Sequence, residues 1–331
     1  MKKENFDMPV ASFNPDPMKL SLFTDGLPDM PFEMVLDEAA KMGIEELEIG
    51  TGGYSFAPHC DMQTLLKSAD ARKEYLNQIE SRGLRIGTLN CSANPLGPGE
   101  RWASHGPDVM DSMRLAGALG VKHMVAQSGL PAGAPGELTL NWVTHTYPPE
   151  MLDVLKYQWD VAIEFWTKAA ALAKENGVET IAFENHPMNL VFNVNTIKQL
   201  REGVGDDIIG MNFDPSHMFF MGGDPLMIAR ELAKENLVYH IHAKDTRINP
   251  EVKGLNALEL GPYNGKAADR CWNYVAVGYG HDSLWWKTFF AILAAGDYHG
   301  PVSIEVEDPL MPNNLVAIQK SAAFLHETML K

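Results

Sequence analysis

Four short stretches of the chain run apolar and then stop on a residue that can bind a cation or move a proton. They are Ile181-Ala182-Phe183-Glu184, Ile209 to Phe213 followed by Asp214, Tyr239-His240-Ile241-His242, and Val302-Ser303-Ile304 followed by Glu305. Each reads as a buried strand whose C-terminal end opens into a polar site. Two or three carboxylates and one imidazole at neighbouring strand ends make an oxygen and nitrogen donor set. Such a set suits one divalent cation, Mn²⁺ first, with Mg²⁺, Co²⁺ and Zn²⁺ as alternatives. Clustered acids inside a protein need a cation, because unpaired buried charge is costly. His240 and His242 share a strand face, and the later one lies nearer the strand end, so His242 is the expected ligand. Glu305 and Glu307 share a face in the same way; depth alone favours Glu307.

The elements that must bring these residues together alternate along the chain. Eight strand signals alternate with eight helix signals from Lys19 onward, which predicts an α/β fold, a single (β/α)8 barrel. Residues 1–18 read as an irregular N-terminal arm and 19–331 as one catalytic barrel domain. A long helix is expected over Met62 to Ser81, another near Asp108 to Leu119, and a short one near Thr196 to Glu202. Long loops follow strands four and seven; the first holds Trp142 and His145, the second runs about 40 residues from Thr246. Met218-Phe219-Phe220-Met221 reads as an apolar wall or interface. An open doubly wound sheet would carry a glycine-rich phosphate loop after strand one. The chain has Phe23-Thr24-Asp25-Gly26-Leu27-Pro28 there, with no such motif.

With 27 basic against 43 acidic residues, the formal charge is −16. That disfavours nucleic acid and anionic membrane as partners. Three widely spaced cysteines and no CxxC argue against a disulfide framework or thiolate zinc site. The start has no apolar signal core and no apolar run reaches membrane length, so a cytoplasmic protein is expected. His186, two residues after Glu184, shares its face and is a candidate substrate group. Trp142 is the tryptophan expected to stack on a sugar.

The motifs AFENHP, FDPSH, HIHAKDTR and GPVSIEVEDP, around Glu184, Asp214, His242 and Glu305, resemble those of the xylose isomerase-like TIM barrels, the broad sugar phosphate isomerase/epimerase family. The resemblance spans nearly the whole chain. It implies that Glu184, Asp214, His242 and Glu305 hold the metal, since Gly300 to Glu305 has the spacing of the last ligand strand in ketose 3-epimerases. It also implies that Glu184 and Glu305 are the acid/base pair, and that His217 and Arg247 contact substrate oxygens. Arg247 sits one residue closer to the ligand histidine than in those epimerases. The expected function is a metal-dependent sugar isomerase or epimerase working through a metal-bound enediolate, with a homo-oligomer as the expected assembly. The chain also looks like the large subunit of C-glycoside deglycosidases, which eliminate from 3-oxo-C-glycosides and have a small partner subunit. On that alternative His145 reaches the site as an extra acid/base. A non-catalytic sugar-binding barrel is a further alternative. A DNA-repair nuclease on the same barrel would need a basic groove, which the net charge argues against.

Overall fold

Strands β1 (Lys19–Phe23), β2 (Glu46–Gly50), β3 (Arg85–Cys91), β4 (His123–Ala126), β5 (Thr180–Glu184), β6 (Ile209–Phe213), β7 (Val238–Ala243) and β10 (Pro301–Ile304) close a ring in the order β1-β10-β7-β6-β5-β4-β3-β2. Every pairing in the ring is parallel, including β1 with β10, which seals it. This is the expected (β/α)8 barrel, seen in a computed structural model that describes residues 18–257 and 265–330. The arm expected over residues 1–18 lies, apart from Met18, outside the described residues.

Parallel strands need long crossovers, and helices supply them. They are α1 (Phe32–Lys41), α2 (Met62–Lys67), α3 (Ala69–Glu80), α4 (His105–Leu119), α5 (Met151–Glu175), α6 (Val194–Val204), α7 (Pro215–Met221), α8 (Pro225–Lys234), α9 (Pro250–Asn256), α10 (Ser283–Ala295) and α11 (Asn314–Thr328). Their apolar faces bury large side chains against the ring, among them Trp166 of α5 and Trp286 of α10. Caps set the starts: Asn193 and Thr196 form a reciprocal capping box on α6. Among the described residues no helix is long and apolar enough to cross a membrane.

Three elements differ from the sequence reading. The single helix expected over Met62 to Ser81 is two, because Ser68 is extended and its hydroxyl caps α3 at the Ala71 N–H. The apolar Met218 to Met221 segment belongs to α7, a short helix capped by Asp214 with Pro215 in its first turn. The insert after β7 is not plain loop. It opens with β8 (Asp245–Ile248), which pairs antiparallel with β9 (Trp272–Val275). Asp245 ties the base of this insert: its carboxylate accepts backbone N–H bonds from Gly278 (3.1 Å), Gly280 (3.1 Å) and His281 (2.9 Å) and the Trp286 indole N–H (3.3 Å).

Candidate metal centre

Parallel closure aims the four strand ends at one point. Glu184 ends β5, Asp214 and Glu305 follow β6 and β10 by one residue, and His242 lies near the end of β7. One donor atom from each falls within 4.8 Å of all the others. His242 Nδ1 is 3.2 Å from Glu184 Oε1 and 3.1 Å from Glu305 Oε2. Glu305, not Glu307, stands in the cluster. The strand stops at Ile304, so Glu307 leaves the barrel interior and is half exposed. Asp214 Oδ2 and Glu305 Oε2 are buried, and the groups facing them are Lys244, His217 and His242. Three carboxylates and one imidazole with donor atoms this close are a set that fits a single hard divalent cation.

A second row of residues orients the first. Glu48 of β2 is fully buried and takes His242 Nε2 at 3.0 Å and His240 Nε2 at 2.9 Å. The Asn90 amide donates to the same carboxylate at 2.6 Å. Burial raises the Glu48 pKa, but the charges of His242 and His240 outweigh it and hold the carboxyl well below its usual range. An ionised carboxylate only accepts, so both histidines donate through Nε2, and Nδ1 of His242 is left facing the cluster. Burial likewise raises Glu184, and the hydrogen bonds from His217 and His242 overcome it, so it stays ionised.

Two cationic groups balance the acids. Lys244 is buried with Nζ 2.7 Å from Glu305 Oε2, 3.2 Å from Asp214 Oδ2 and 3.3 Å from Glu307 Oε1, over the Tyr274 ring. Burial lowers its pKa, and Asp214 and Glu305 more than restore it, so it remains an ammonium. His217 Nε2 lies 3.2 Å from Asp214 and 3.3 Å from Glu184, while its Nδ1 meets the Tyr274 hydroxyl at 2.7 Å. Burial pulls His217 down, but Asp214 lifts it to about 9.

Beside the cluster opens a cavity of about 340 Å³, lined among others by Asp25, Gln127, Glu184, His186, Lys244 and Glu305. His186 donates through Nδ1 to the Pro187 carbonyl at 2.6 Å. Burial, with His217 nearby, lowers its pKa to about 4, so it faces the cavity as neutral imidazole. Gln127 donates to Glu184 Oε2 at 3.3 Å.

The structure brings together Glu184, Asp214, His217, His242, Glu305 and His186. It does not bring His145, Trp142 or Arg247 to them. His145 is exposed on the loop after β4, its Nδ1 accepting from the Tyr147 N–H at 3.1 Å. Trp142 is half buried and donates to the Asn189 carbonyl at 2.9 Å, its ring edge-on to Phe192. Arg247 is exposed on β8. Glu48, Asn90, Gln127, Tyr274 and Asp25 went unread in the sequence. For Glu48 there was a signal: Glu46 and Glu48 recur at period two in a strand that must be covered on both sides.

The model of the family described as xylose isomerase-like TIM barrel matches residues 36–328. An uncharacterized protein of Bacillus subtilis, YfiH, is 45% identical over 94% of this chain and 99% of its own length. An inosose dehydratase of Clostridium tetani is 25% identical over 51% of this chain and 54% of its own, so that match spans about half of the relative. Among solved structures, an IolI protein with a bound zinc atom superposes with TM-score 0.64 at 19% identity, covering 94% of this chain and 98% of that one. The 3-keto-D-glucoside 4-epimerase YcjR of E. coli gives 0.62 at 14%, covering 94% and 99%. At such identities the structural likenesses speak for the fold alone. The family match over most of the chain, with the ring and its four converging strand ends, shows that this chain belongs to the xylose isomerase-like TIM barrel family.

Proposed function

We propose that this chain is a divalent-cation-dependent sugar isomerase or epimerase that works by moving a proton on and off carbon. The observation that carries the reading is the convergence of Glu184, Asp214, His242 and Glu305 within 4.8 Å at the wall of a sugar-sized cavity. A Mn²⁺, Mg²⁺, Co²⁺ or Zn²⁺ ion held by these four would polarise a substrate carbonyl and acidify the adjacent C–H. Glu184 and Glu305 stand three strands apart around the ring, so they meet a substrate from different sides. One takes the proton from carbon and the other returns one. His217 and Gln127 fix the Glu184 carboxylate on both of its oxygens. Neutral His186 offers Nε2 to a hydroxyl. Lys244 holds Glu305 and keeps a positive charge beside the developing oxyanion.

A second reading shares the first step. Loss of a neighbouring group from the same enediolate gives elimination, and the similarity to an inosose dehydratase supports it. The version that cleaves C-glycosides drew on His145, and that side chain stands away from the cluster. The test is solvent exchange. The full chain loaded with each cation in turn is incubated in D₂O with a panel of ketoses, an inosose and a 3-oxo-glucoside, and followed by NMR. Deuterium should enter at the carbon beside the carbonyl of at least one. Binding without exchange across the panel would mean a sugar-binding barrel instead.

A further inference from the structure

The cavity holds one acid that the proton-transfer reading leaves without work. Asp25 lies in the turn that follows β1, at the mouth of the ring, and lines the cavity with Glu184, His186, Lys244 and Glu305. Its Oδ1 is buried and accepts no hydrogen bond. Unlike Asp214 and Glu305, it has no lysine or histidine in ion-pair range among the described residues. The backbone makes room for it. A Cβ on Gly50, at the end of β2, would stand 2.4 Å from Asp25 Oδ1. A side chain there would push the carboxyl out of its place.

Burial raises the Asp25 pKa to about 6; the Ser55 hydroxyl pulls it down, and the negative charges of Glu48 and Glu305 add to the rise. This fits a carboxyl that keeps its proton to a higher pH than Glu184 or Glu305 does. A neutral acid beside ionised carboxylates is how one site keeps a base and an acid at once. Its placement matters as much. In the ring order, β1 and β5 are four steps apart in either direction, so Asp25 and Glu184 face each other across the barrel mouth.

We propose that Asp25 is the general acid for a leaving hydroxyl, so that the site eliminates water from sugars carrying a hydroxyl β to a ketone. The inference rests on the proton-transfer reading and names its substrate class. Glu184 takes the C–H proton, and the electron pair passes through the enediolate to form the carbon–carbon double bond. The β C–O bond breaks as Asp25 gives its proton to that oxygen, and water departs. The products are the unsaturated ketone and one water. Glu184 is left protonated and Asp25 ionised, and a proton returned through solvent resets both. Because the two groups oppose each other, the proton and hydroxyl leave from opposite faces.

The test compares the wild-type chain, loaded with Mn²⁺, with Asp25→Asn. Probes are an inosose, a 3-oxo-glucoside and an inosose with fluoride in place of the β-hydroxyl. Deuterium entry from D₂O reads the C–H step; the conjugated ketone absorbance reads elimination. Asp25→Asn should keep deuterium entry within about threefold and lose elimination of the hydroxyl by roughly 10²-fold or more, the usual span for a general acid. Fluoride leaves with far less need of a proton, so elimination of fluoride should persist in the variant. Equal loss for hydroxyl and fluoride would assign Asp25 to binding and overturn the proposal. So would deuterium entry in the wild type with no unsaturated product from any probe, or loss of exchange itself in Asp25→Asn. No exchange in the wild type would remove the proton-transfer reading, and this inference with it.

Discussion

The two halves of the barrel do different work. Strands β5, β6, β7 and β10 supply Glu184, Asp214, His242 and Glu305, the groups whose donor atoms converge within 4.8 Å. Strands β1 to β4 and the turns after them supply Glu48 and Gln127, which bond His242 and Glu184, Asn90, which holds Glu48, and Asp25, which lines the cavity. The first half is built of charge in direct mutual contact. The second is built of hydrogen bonds that aim the first, and of one acid kept apart. Ligands tolerate no replacement, whereas aiming groups grade their effect, so the halves should separate under mutation.

The largest effect should come from the ligand half. Glu184→Gln or Glu305→Gln removes a ligand and a proton carrier together, so deuterium exchange should fall by roughly 10³-fold or more. Cation affinity, read by calorimetry, should fall with it; a variant that kept both would break the comparison. Glu48→Gln comes next. It leaves every ligand in place but weakens the acceptor that sets His242, so cation affinity should drop about 10- to 100-fold. If affinity were unchanged, the wall opposite the ligands would be scaffold only. Tyr274→Phe deletes one hydrogen bond to His217, a cost of about 1 kcal/mol or several-fold in kcat, with thermal stability nearly unchanged. His145→Ala and Arg247→Ala should be the mildest, each within about twofold in turnover, because surface substitutions away from such networks change little. A large loss in either would show that its loop closes over the cavity during turnover.

The convergence of the four strand ends was legible because each of these residues ends an apolar run, and a parallel barrel points all such ends the same way. The opposite wall was not. In ELEIG the period-two glutamates are a signal only once ring closure is assumed, since on a half-exposed strand they would be the solvated face; closure, a property of the whole chain, buries them. Thr-Asp-Gly after the first strand reads as a turn, and nothing local shows that Asp25 borders a cavity. Tyr274 reaches His217 only because β8 and β9 pair across residues distant in sequence. Depth along a straight strand favoured Glu307, but β10 ends early and the chain swings outward. That His145 and Trp142 stand away from the cluster was hidden for a related reason: a loop's residue types say it is a loop, not which way it folds. Ser68 is the opposite case, a local N-cap signal strong enough to have split the expected long helix.

The clasp around Asp245 has a consequence for how the family can vary. The excursion after β7 is closed at its root, by the β8–β9 pairing, by the Asn249 N–H to Cys271 carbonyl bond at 2.8 Å, and by the Asp245 carboxylate. Chain added or removed between Asn249 and Cys271 therefore leaves His242, Lys244 and Tyr274 where they are. The position of those three side chains is thus set by the root of the excursion and not by the chain beyond it.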